Sequence, residues 1–312
     1  HTYGRAYRDV VRAVGGEVAH PPEMVIRPGD EADVVSVLDW AAETGVKVVP
    51  YGGGSSVVGG VGATIEDAPD GWVSLDLTEM DRVLEIDEVS GAALIQGGAL
   101  GPGIEAQLKA HGQTLRFFPQ SFEFSTLGGW LATRAGGHFA TGPTHIDDLV
   151  ESMRVVTPAG VSESRRLPGS GAGPSHDRAF LGSEGALGVI TEGWMKIRPR
   201  VGWKTSAGVE FTTWNDGVAA ARELARSHLQ PSNCRLLDAG EAQLSLGVEV
   251  GALLVLGFES AGEPLEAWMQ QALELCFEHG GAAPGGVTTS SPTRDEEPVG
   301  DAGSVEAWRS AF

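Results

Sequence analysis

The run Val46-Lys47-Val48-Val49 leads straight into Pro50-Tyr51-Gly52-Gly53-Gly54-Ser55-Ser56, and this junction restricts the fold more than any other feature of the chain. β-Branched residues predict a strand. Three consecutive glycines end it, since glycine packs nothing and reaches backbone conformations closed to other residues. Without side chains in the way, successive N–H groups can converge on an anion such as a diphosphate. A plain tight turn is the competing reading, but Gly59-Gly60 follow in the same loop, more glycine than one turn requires. No Gly-Lys-Ser or Gly-Lys-Thr comes next, so ATP chemistry of the P-loop type is excluded. Upstream, Val34, Val37, Leu38 and Ala41 recur at helical spacing, with Asp30 placed to cap the start and Gly45 just past the end. The order is helix, strand, glycine loop.

Downstream, alternation and turn residues predict strands at 72–77, 82–86, 92–96, 152–156 and 188–197, and a helix over 103–110. Residues 119–148 mix glycine with aromatic side chains and read as a packed loop, and the hydrophilic stretch 162–177 reads as a mobile surface loop. After Arg198-Pro199-Arg200 the rhythm changes to a strand at 208–211, a helix at 216–228, a strand at 253–259 and a helix at 263–279. A domain boundary is therefore predicted near residue 200. The tail 285–304 offers nothing apolar enough to fold alone. The pattern is mixed α+β rather than regular βαβ. Both ends read as cut, because the chain opens on His1 and closes on the amphipathic run Trp308-Arg309-Ser310-Ala311-Phe312.

Glycine supplies 45 of the 312 residues, about double the usual share near 7%. It is spread rather than repetitive, which implies many tight turns. Asp and Glu number 42 against 22 Lys and Arg, a net charge of −20; that field repels nucleic acid, and none is expected as a partner. The longest uncharged apolar stretch, 250–258, falls far short of the roughly 20 residues that span a bilayer, so no transmembrane segment is expected. Cys234 and Cys276 sit in no Cys-x-x-Cys or Cys/His pattern, which points to a reducing compartment, read as the cytoplasm. No metal is expected, since the histidines show no ligand spacing and His138 and His145 share a loop without a third ligand.

Four further segments carry chemistry or imitate it. Gln120-Ser121-Phe122-Glu123-Phe124-Ser125-Thr126-Leu127-Gly128-Gly129-Trp130, continuing through Thr133-Arg134-Ala135-Gly136-Gly137, interleaves polar donors with rings. Such a string suits a planar heterocycle, or equally a buried loop that satisfies its own backbone. Gly182-Ser183-Glu184-Gly185-Ala186-Leu187-Gly188-Val189-Ile190 has the same character. Gly101-Pro102-Gly103-Ile104-Glu105-Ala106 formally satisfies the Gly-x-Gly-x-x-Ala dinucleotide fingerprint, but Pro102 removes a donor, which argues against a nicotinamide enzyme. Arg235 lies between Cys234 and Leu236-Leu237 on an apolar strand, where it needs either a salt bridge, with Asp238 or another acid, or a functional charge to stabilise. No Gly-x-Ser-x-Gly elbow is present, so a serine hydrolase is not expected.

Taken together, residues 50–57, 119–130, 133–135, 146–150, 181–191 and 234–238 resemble the FAD-binding vanillyl-alcohol oxidase and p-cresol methylhydroxylase superfamily. Within it they are most similar to the alkyldihydroxyacetonephosphate synthase family. The resemblance implies a two-subdomain α+β FAD-binding fold over 1–200, followed by the start of an α+β substrate (cap) domain over 201–312. It implies that Pro50, Tyr51, Gly52, Gly53, Gly54, Ser55 and Ser56 hold the FAD diphosphate. Residues Gln120 to Thr126, Thr133 to Gly136, and Glu184, Gly185, Ala186, Leu187, Gly188, Val189 and Ile190 would support the cofactor. Arg235 and Thr126 would lie at the reactive edge of the flavin as the catalytic pair, the cation stabilising charge that develops there.

The superfamily tethers flavin through His or Cys when it does so covalently. The loop here offers Ser55-Ser56, so non-covalent FAD is expected. The synthase family uses flavin N5 to capture the substrate carbon of acyl-dihydroxyacetone phosphate, exchanging the acyl group for a fatty alcohol without net redox change. Its members carry a His where this chain has Phe117, and their catalytic Tyr and paired His belong to a region beyond Phe312. A small-molecule or lipid-derived substrate is expected, with a homodimer as the assembly. The same cradle would serve an oxidase or dehydrogenase of an alcohol or 2-hydroxy acid, or a non-catalytic flavin-binding subunit.

Overall fold

The computed structural model describes residues 1–291 apart from residues 65, 67, 69, 168–170 and 172. The chain forms two compact units: His1–Gly137 with His145–Arg198, and His138–Thr144 with the chain from Pro199 onward.

The first unit runs α1 (Tyr7–Val14), β1 (Met24–Ile26), α2 (Glu31–Thr44), β2 (Lys47–Tyr51), β3 (Trp72–Asp76), β4 (Val83–Asp87), β5 (Ala92–Gln96), α3 (Gly101–Lys109) and β6 (Gln113–Thr114). A 3-10 turn (Phe122–Phe124), α4 (Leu127–Thr133), α5 (Ile146–Leu149), β7 (Val150–Thr157), β8 (Gly160–Glu163), α6 (Asp177–Phe180), β9 (Val189–Lys196) and β10 (Arg198–Pro199) follow. Strands β1, β3 and β2 form a small parallel sheet in the order β1-β3-β2. Pro50 is tolerated in β2 because β2 is an edge strand, where a missing N–H costs no ladder bond. Strands β4-β5-β9-β7-β8 form an antiparallel sheet.

Helix α2 forms where its spacing predicts. The Asp30 side chain accepts from the Asp33 amide at 3.0 Å, and Gly45 closes the helix at φ 78°, a cap worth about 1 kcal/mol. Val34 is fully buried with Leu75, Met80, Val156 and Val189, so the helix and both sheets share one core; burying such a side chain is worth about 1.5–3 kcal/mol. A larger core packs Ile95, Ile104, Leu127, Trp130, Ile146 and Met195 between the antiparallel sheet and α3, α4 and α5.

The second unit contains β11 (Trp203–Phe211), α7 (Trp214–Arg226), β12 (Asn233–Asp238), α8 (Ala239–Leu246), β13 (Ala252–Ser260), α9 (Glu266–Glu278) and β14 (Thr288–Ser290). Its antiparallel sheet has the order β12-β13-β11-β14. β13 is apolar without alternation because it is covered on both faces: Leu254 and Leu256 pack with residues of α7 and α9, and Leu253 and Val255 with Ala242 of α8.

Several expectations need correction. The loop expected over 119–148 contains α4 and α5, because capping by Thr126 and packing of Trp130 and Leu131 outweigh the low helix propensity of Gly128-Gly129. Helix α3 starts at Gly101, two residues early, since Pro102 suits a first turn. The mixed α+β reading holds; within it, three-residue β1 of the wholly parallel small sheet is too short to show alternation and was not anticipated. The surface loop of 162–177 begins inside β8, while its residues 168–170 and 172 lie outside the described residues. In the tail, Thr288–Ser290 pair with β11, and the remainder from 292, with the amphipathic run at 308–312, lies outside them too. Helices α1 and α8 were not anticipated.

Candidate cofactor site

The glycine loop leaves the C-terminal end of β2 and is shaped by close backbone approach. A β-carbon on Gly52 would collide with the Thr126 hydroxyl, and one on Gly53 with the Phe124 carbonyl. Gly54 adopts φ 65° beneath the Tyr51 hydroxyl, where no β-carbon fits. Among the described residues, the amides of Gly53, Gly54, Ser55 and Ser56 donate to no protein backbone or side-chain acceptor. Gly54 is buried, and its N–H, without an acceptor among the described residues, is a donor open to a ligand. Further on, the Ser56 hydroxyl accepts from the Gly60 amide at 3.3 Å and bends the loop back.

The second segment packs directly against this loop. The Trp130 indole donates to Ser125 Oγ at 2.6 Å, which donates onward to the Ser121 carbonyl at 2.7 Å. Thr126, 1% exposed, caps α4 by accepting from the Gly129 amide at 3.3 Å. The Thr133 hydroxyl bonds the Gly129 carbonyl at 2.9 Å. These side chains therefore satisfy their own segment, while Phe124 is 66% exposed beside Gly53. Arg134 ends α4 in the left-handed region at φ 52° and pairs with Asp147 at 2.6 Å, an acid it shares with Arg178. The two guanidiniums hold the Asp147 carboxyl below its usual range against the opposing effect of its burial. Gln120 and Glu123 face solvent.

The third segment closes on the first two. The Gly182 and Glu184 amides donate to the Leu131 and Ala132 carbonyls of α4 at 3.1 and 2.9 Å. A β-carbon on Gly185 would lie 3.1 Å from the Pro50 ring, and one on Gly60 would lie 2.7 Å from a Glu184 carboxylate oxygen. Glu184 itself is left-handed at φ 52°, which costs a non-glycine residue about 1 kcal/mol. Residues 50–60, 124–134 and 182–185 thus meet in the first unit. Val57, Val58, Phe124 and Leu187 are all more than half exposed. Unpartnered amides beside exposed apolar side chains fit a group with an anionic linker and a flat ring.

Arg235 belongs to the second unit. It is half-buried on β12 opposite Val255. The Asp238 carboxylate caps α8 by accepting from the Glu241 amide at 2.8 Å. Burial lowers the Arg235 pKa, and the Glu241 carboxylate opposes that.

Residues 22–163 match the family model described as FAD binding domain, and residues 202–300 match FAD linked oxidases, C-terminal domain. The chain thus carries an FAD binding domain followed by the C-terminal domain of FAD linked oxidases. It is 37% identical over 261 residues to the alkyldihydroxyacetonephosphate synthase of Dictyostelium discoideum, covering 84% of this chain and 42% of that one. It is 36% identical over 260 residues to the Trypanosoma brucei brucei synthase, covering 83% and 42%. A D-lactate dehydrogenase of Anaerostipes hadrus is 28% identical over 276 residues, covering 83% of this chain and 57% of that one. A solved alkyldihydroxyacetonephosphate synthase structure superposes with a TM-score of 0.83 at 32% identity, over 90% of this chain and 55% of that one. The chain thus spans about 42% of the length of the two synthases it matches.

The chain also uses glycines that its motifs did not single out. Gly97-Gly98 follow β5 as Gly52-Gly53-Gly54 follow β2. The Gly97 amide donates to the Thr191 carbonyl at 2.7 Å, and its own carbonyl accepts from Gly128 at 2.7 Å, tying the second and third segments together. Residues 1–5 also lie on the glycine loop: the Arg5 amide donates to the Ser56 carbonyl at 2.6 Å, and the His1 ring sits 4.2 Å from Tyr51 and 2.8 Å from Asp76. Asp76 stands 3% exposed at the C-terminal end of β3, where open parallel sheets place ligands. That doublet and that acid were the available signals. The fingerprint at 101–106 is a first helical turn in which Gly101 makes room for the Phe122 ring.

Proposed function

We propose that residues 1–200 hold FAD non-covalently and that residues 201–312 begin the substrate domain of an enzyme of the alkyldihydroxyacetonephosphate synthase type. The observation that carries this reading is the row of unpartnered amides from Gly53 to Ser56, set within a chain that is 37% identical to a synthase. The amides would bind the diphosphate, and Phe124, Leu187 and the neighbouring backbone would face the ring. When bound, FAD supplies the ring on which an acyl group is exchanged for a fatty alcohol without net redox change. Arg235 would lie at that ring's reactive edge and stabilise negative charge. Thr126 would touch it from the second segment. Ser55 and Ser56, in place of His or Cys, support a dissociable cofactor. The free thiols Cys234 and Cys276 support a reducing compartment, read as the cytoplasm, and a homodimer is the assembly we expect.

Turnover of acyl-dihydroxyacetone phosphate with a fatty alcohol by the flavin-loaded protein tests the reading. Arg235→Ala should lose turnover while remaining folded and yellow; an unchanged rate would return Arg235 to a structural role. Acid precipitation should release all flavin into the supernatant.

One observation favours a second reading, an oxidase or dehydrogenase of an alcohol or 2-hydroxy acid. Phe117, where the synthases carry a polar His, is 1% exposed and packs edge-on against Trp130 at 5.2 Å. Anaerobic mixing separates the two: bleaching of the flavin by an alcohol or 2-hydroxy acid, without acyl exchange, would replace the synthase reading.

A further inference from the structure

Residues 2–8 cross the glycine loop and are fastened to it backbone to backbone. The Arg5 amide donates to the Ser56 carbonyl at 2.6 Å, and Gly4 is buried so close to that carbonyl that a β-carbon would collide with it. Further along the loop, a β-carbon on Gly62 would lie 2.7 Å from the Thr2 carbonyl oxygen. Glycine at positions 4 and 62 lets the two stretches of main chain meet. On its other side the crossing is held by Tyr3, whose hydroxyl donates to the Glu17 carbonyl at 2.9 Å and accepts from the Ala19 amide at 3.2 Å.

The crossing brings two guanidiniums to the loop. Arg8 Nη2 lies 3.8 Å from the position a β-carbon would take on Gly59. The ion-pair partner of Arg8, Asp9, stands 3.8 Å away, beyond hydrogen-bond reach, and the Arg8 side chain is 69% exposed. Arg5 is exposed, and its guanidinium makes no ion pair or hydrogen bond to a described residue. The acids of this region are otherwise placed. Asp76 accepts from the Thr78 hydroxyl at 2.6 Å and pairs with Arg27 at 3.3 Å and with the His1 ring at 2.8 Å, while a Glu184 carboxylate oxygen sits by Gly60. The Arg5 charge also acts at the Tyr51 hydroxyl, above Gly54: burial raises that pKa most, Asp76 raises it further, and Arg5 opposes both. Lightly engaged cations thus stand at the same loop as the amides of Gly53 to Ser56, which donate to no protein acceptor among the described residues.

We propose that Arg5 and Arg8 are binding residues for the anion that the Gly53–Ser56 amides receive: the loop supplies directed N–H donors, and the two guanidiniums supply the full charge that amides lack. This inference rests on the reading of the loop as the FAD diphosphate site. A diphosphate that links two esters carries one negative charge on each phosphorus, so two cations match it, and guanidinium donors suit phosphate oxygens. The glycine motif then carries half of the site. The other half lies on a segment about fifty residues upstream, in a chain whose net charge of −20 otherwise opposes an anionic ligand.

The test uses the full chain freed of flavin. FAD, inorganic diphosphate and riboflavin, the last as the uncharged ring, are titrated into wild type and into the doubly substituted Arg5→Gln/Arg8→Gln protein, by flavin fluorescence and calorimetry. FAD and inorganic diphosphate should bind the variant about 10- to 100-fold more weakly, the range for lost hydrogen bonds to charged groups. Riboflavin should bind both proteins alike, and Tm should not move, since both side chains are exposed. Added salt should weaken FAD binding to wild type more than to the variant. Gly4→Ala, which keeps both arginines but displaces the crossing, should lower FAD affinity as well.

Unchanged FAD affinity in either variant would overturn the proposal and leave the cofactor reading standing. An equal loss toward FAD and riboflavin would overturn it too, because the segment would then shape the surroundings of the ring rather than meet the anion. Wild type that binds inorganic diphosphate but not FAD would defeat the cofactor reading, and the diphosphate titration of the arginine variant would then decide the proposal. Wild type that binds neither would defeat both.

Discussion

Two glycine segments of the first unit follow strands, and they behave differently. After β2, Gly52-Gly53-Gly54 stay out of regular structure, pressed against Thr126 and the Phe124 carbonyl, and the amides from Gly53 onward find no protein acceptor. After β5, Gly101-Pro102-Gly103 are absorbed into α3; Gly101 is buried under Phe122, and Gly103 faces open space. Only the second matches a dinucleotide fingerprint, and only the first offers a row of free donors. Whether a glycine run can bind an anion depends on where its N–H groups are left, not on the spacing of its letters.

The largest break in this comparison should come from Gly53→Ala. Its β-carbon meets fixed backbone at Phe124, so we expect a loss of at least about 3 kcal/mol and no detectable FAD binding, read by thermal melting and flavin fluorescence titration. Gly101→Ala should be milder. The new methyl lies 2.5 Å from the Phe122 ring and 2.6 Å from its carbonyl, costing about 1–3 kcal/mol, offset by up to about 1 kcal/mol of helix propensity. FAD affinity per folded molecule should be retained; if it falls as it does for Gly53→Ala, the two segments are not functionally distinct.

Thr126→Val removes the cap of α4 while keeping the shape beside Gly52. Urea unfolding should show a loss of about 1 kcal/mol, with Thr126→Ser close to wild type. A flavin spectrum altered in Thr126→Val but not in Thr126→Ser would also place the hydroxyl against the ring. Gly103→Ala, in open space on a helix, should stabilise by up to about 1 kcal/mol and leave flavin binding unchanged. Any loss of binding there would revive the fingerprint.

Parts of the fold were legible because local chemistry and tertiary packing agreed. Asp30, the Val34–Ala41 stripe and Gly45 define α2 to the residue, and Ala92–Gln96 matches β5. α4 was not legible, since Gly128-Gly129 argue against a helix until Trp130 and Leu131 are seen in the core. In the site, the glycine loop stood out as an anion cradle by composition. The Gly97-Gly98 doublet and the crossing of residues 2–8 did not, because what makes them matter is a neighbour 30 or more residues away: Thr191 and Gly128 for one, Ser56 and Gly59 for the other.

By itself, the amino-acid order determined which segments are strand, helix or glycine loop wherever periodicity and capping act over a few residues, and through them the flavin-binding class. Only the tertiary structure decided which donors remain unspent and which side chains serve the chain's own packing. A hydrogen bond's partner is chosen by three-dimensional proximity: the order of residues alone does not show that Ser125 receives the Trp130 indole or that Thr126 receives the Gly129 amide.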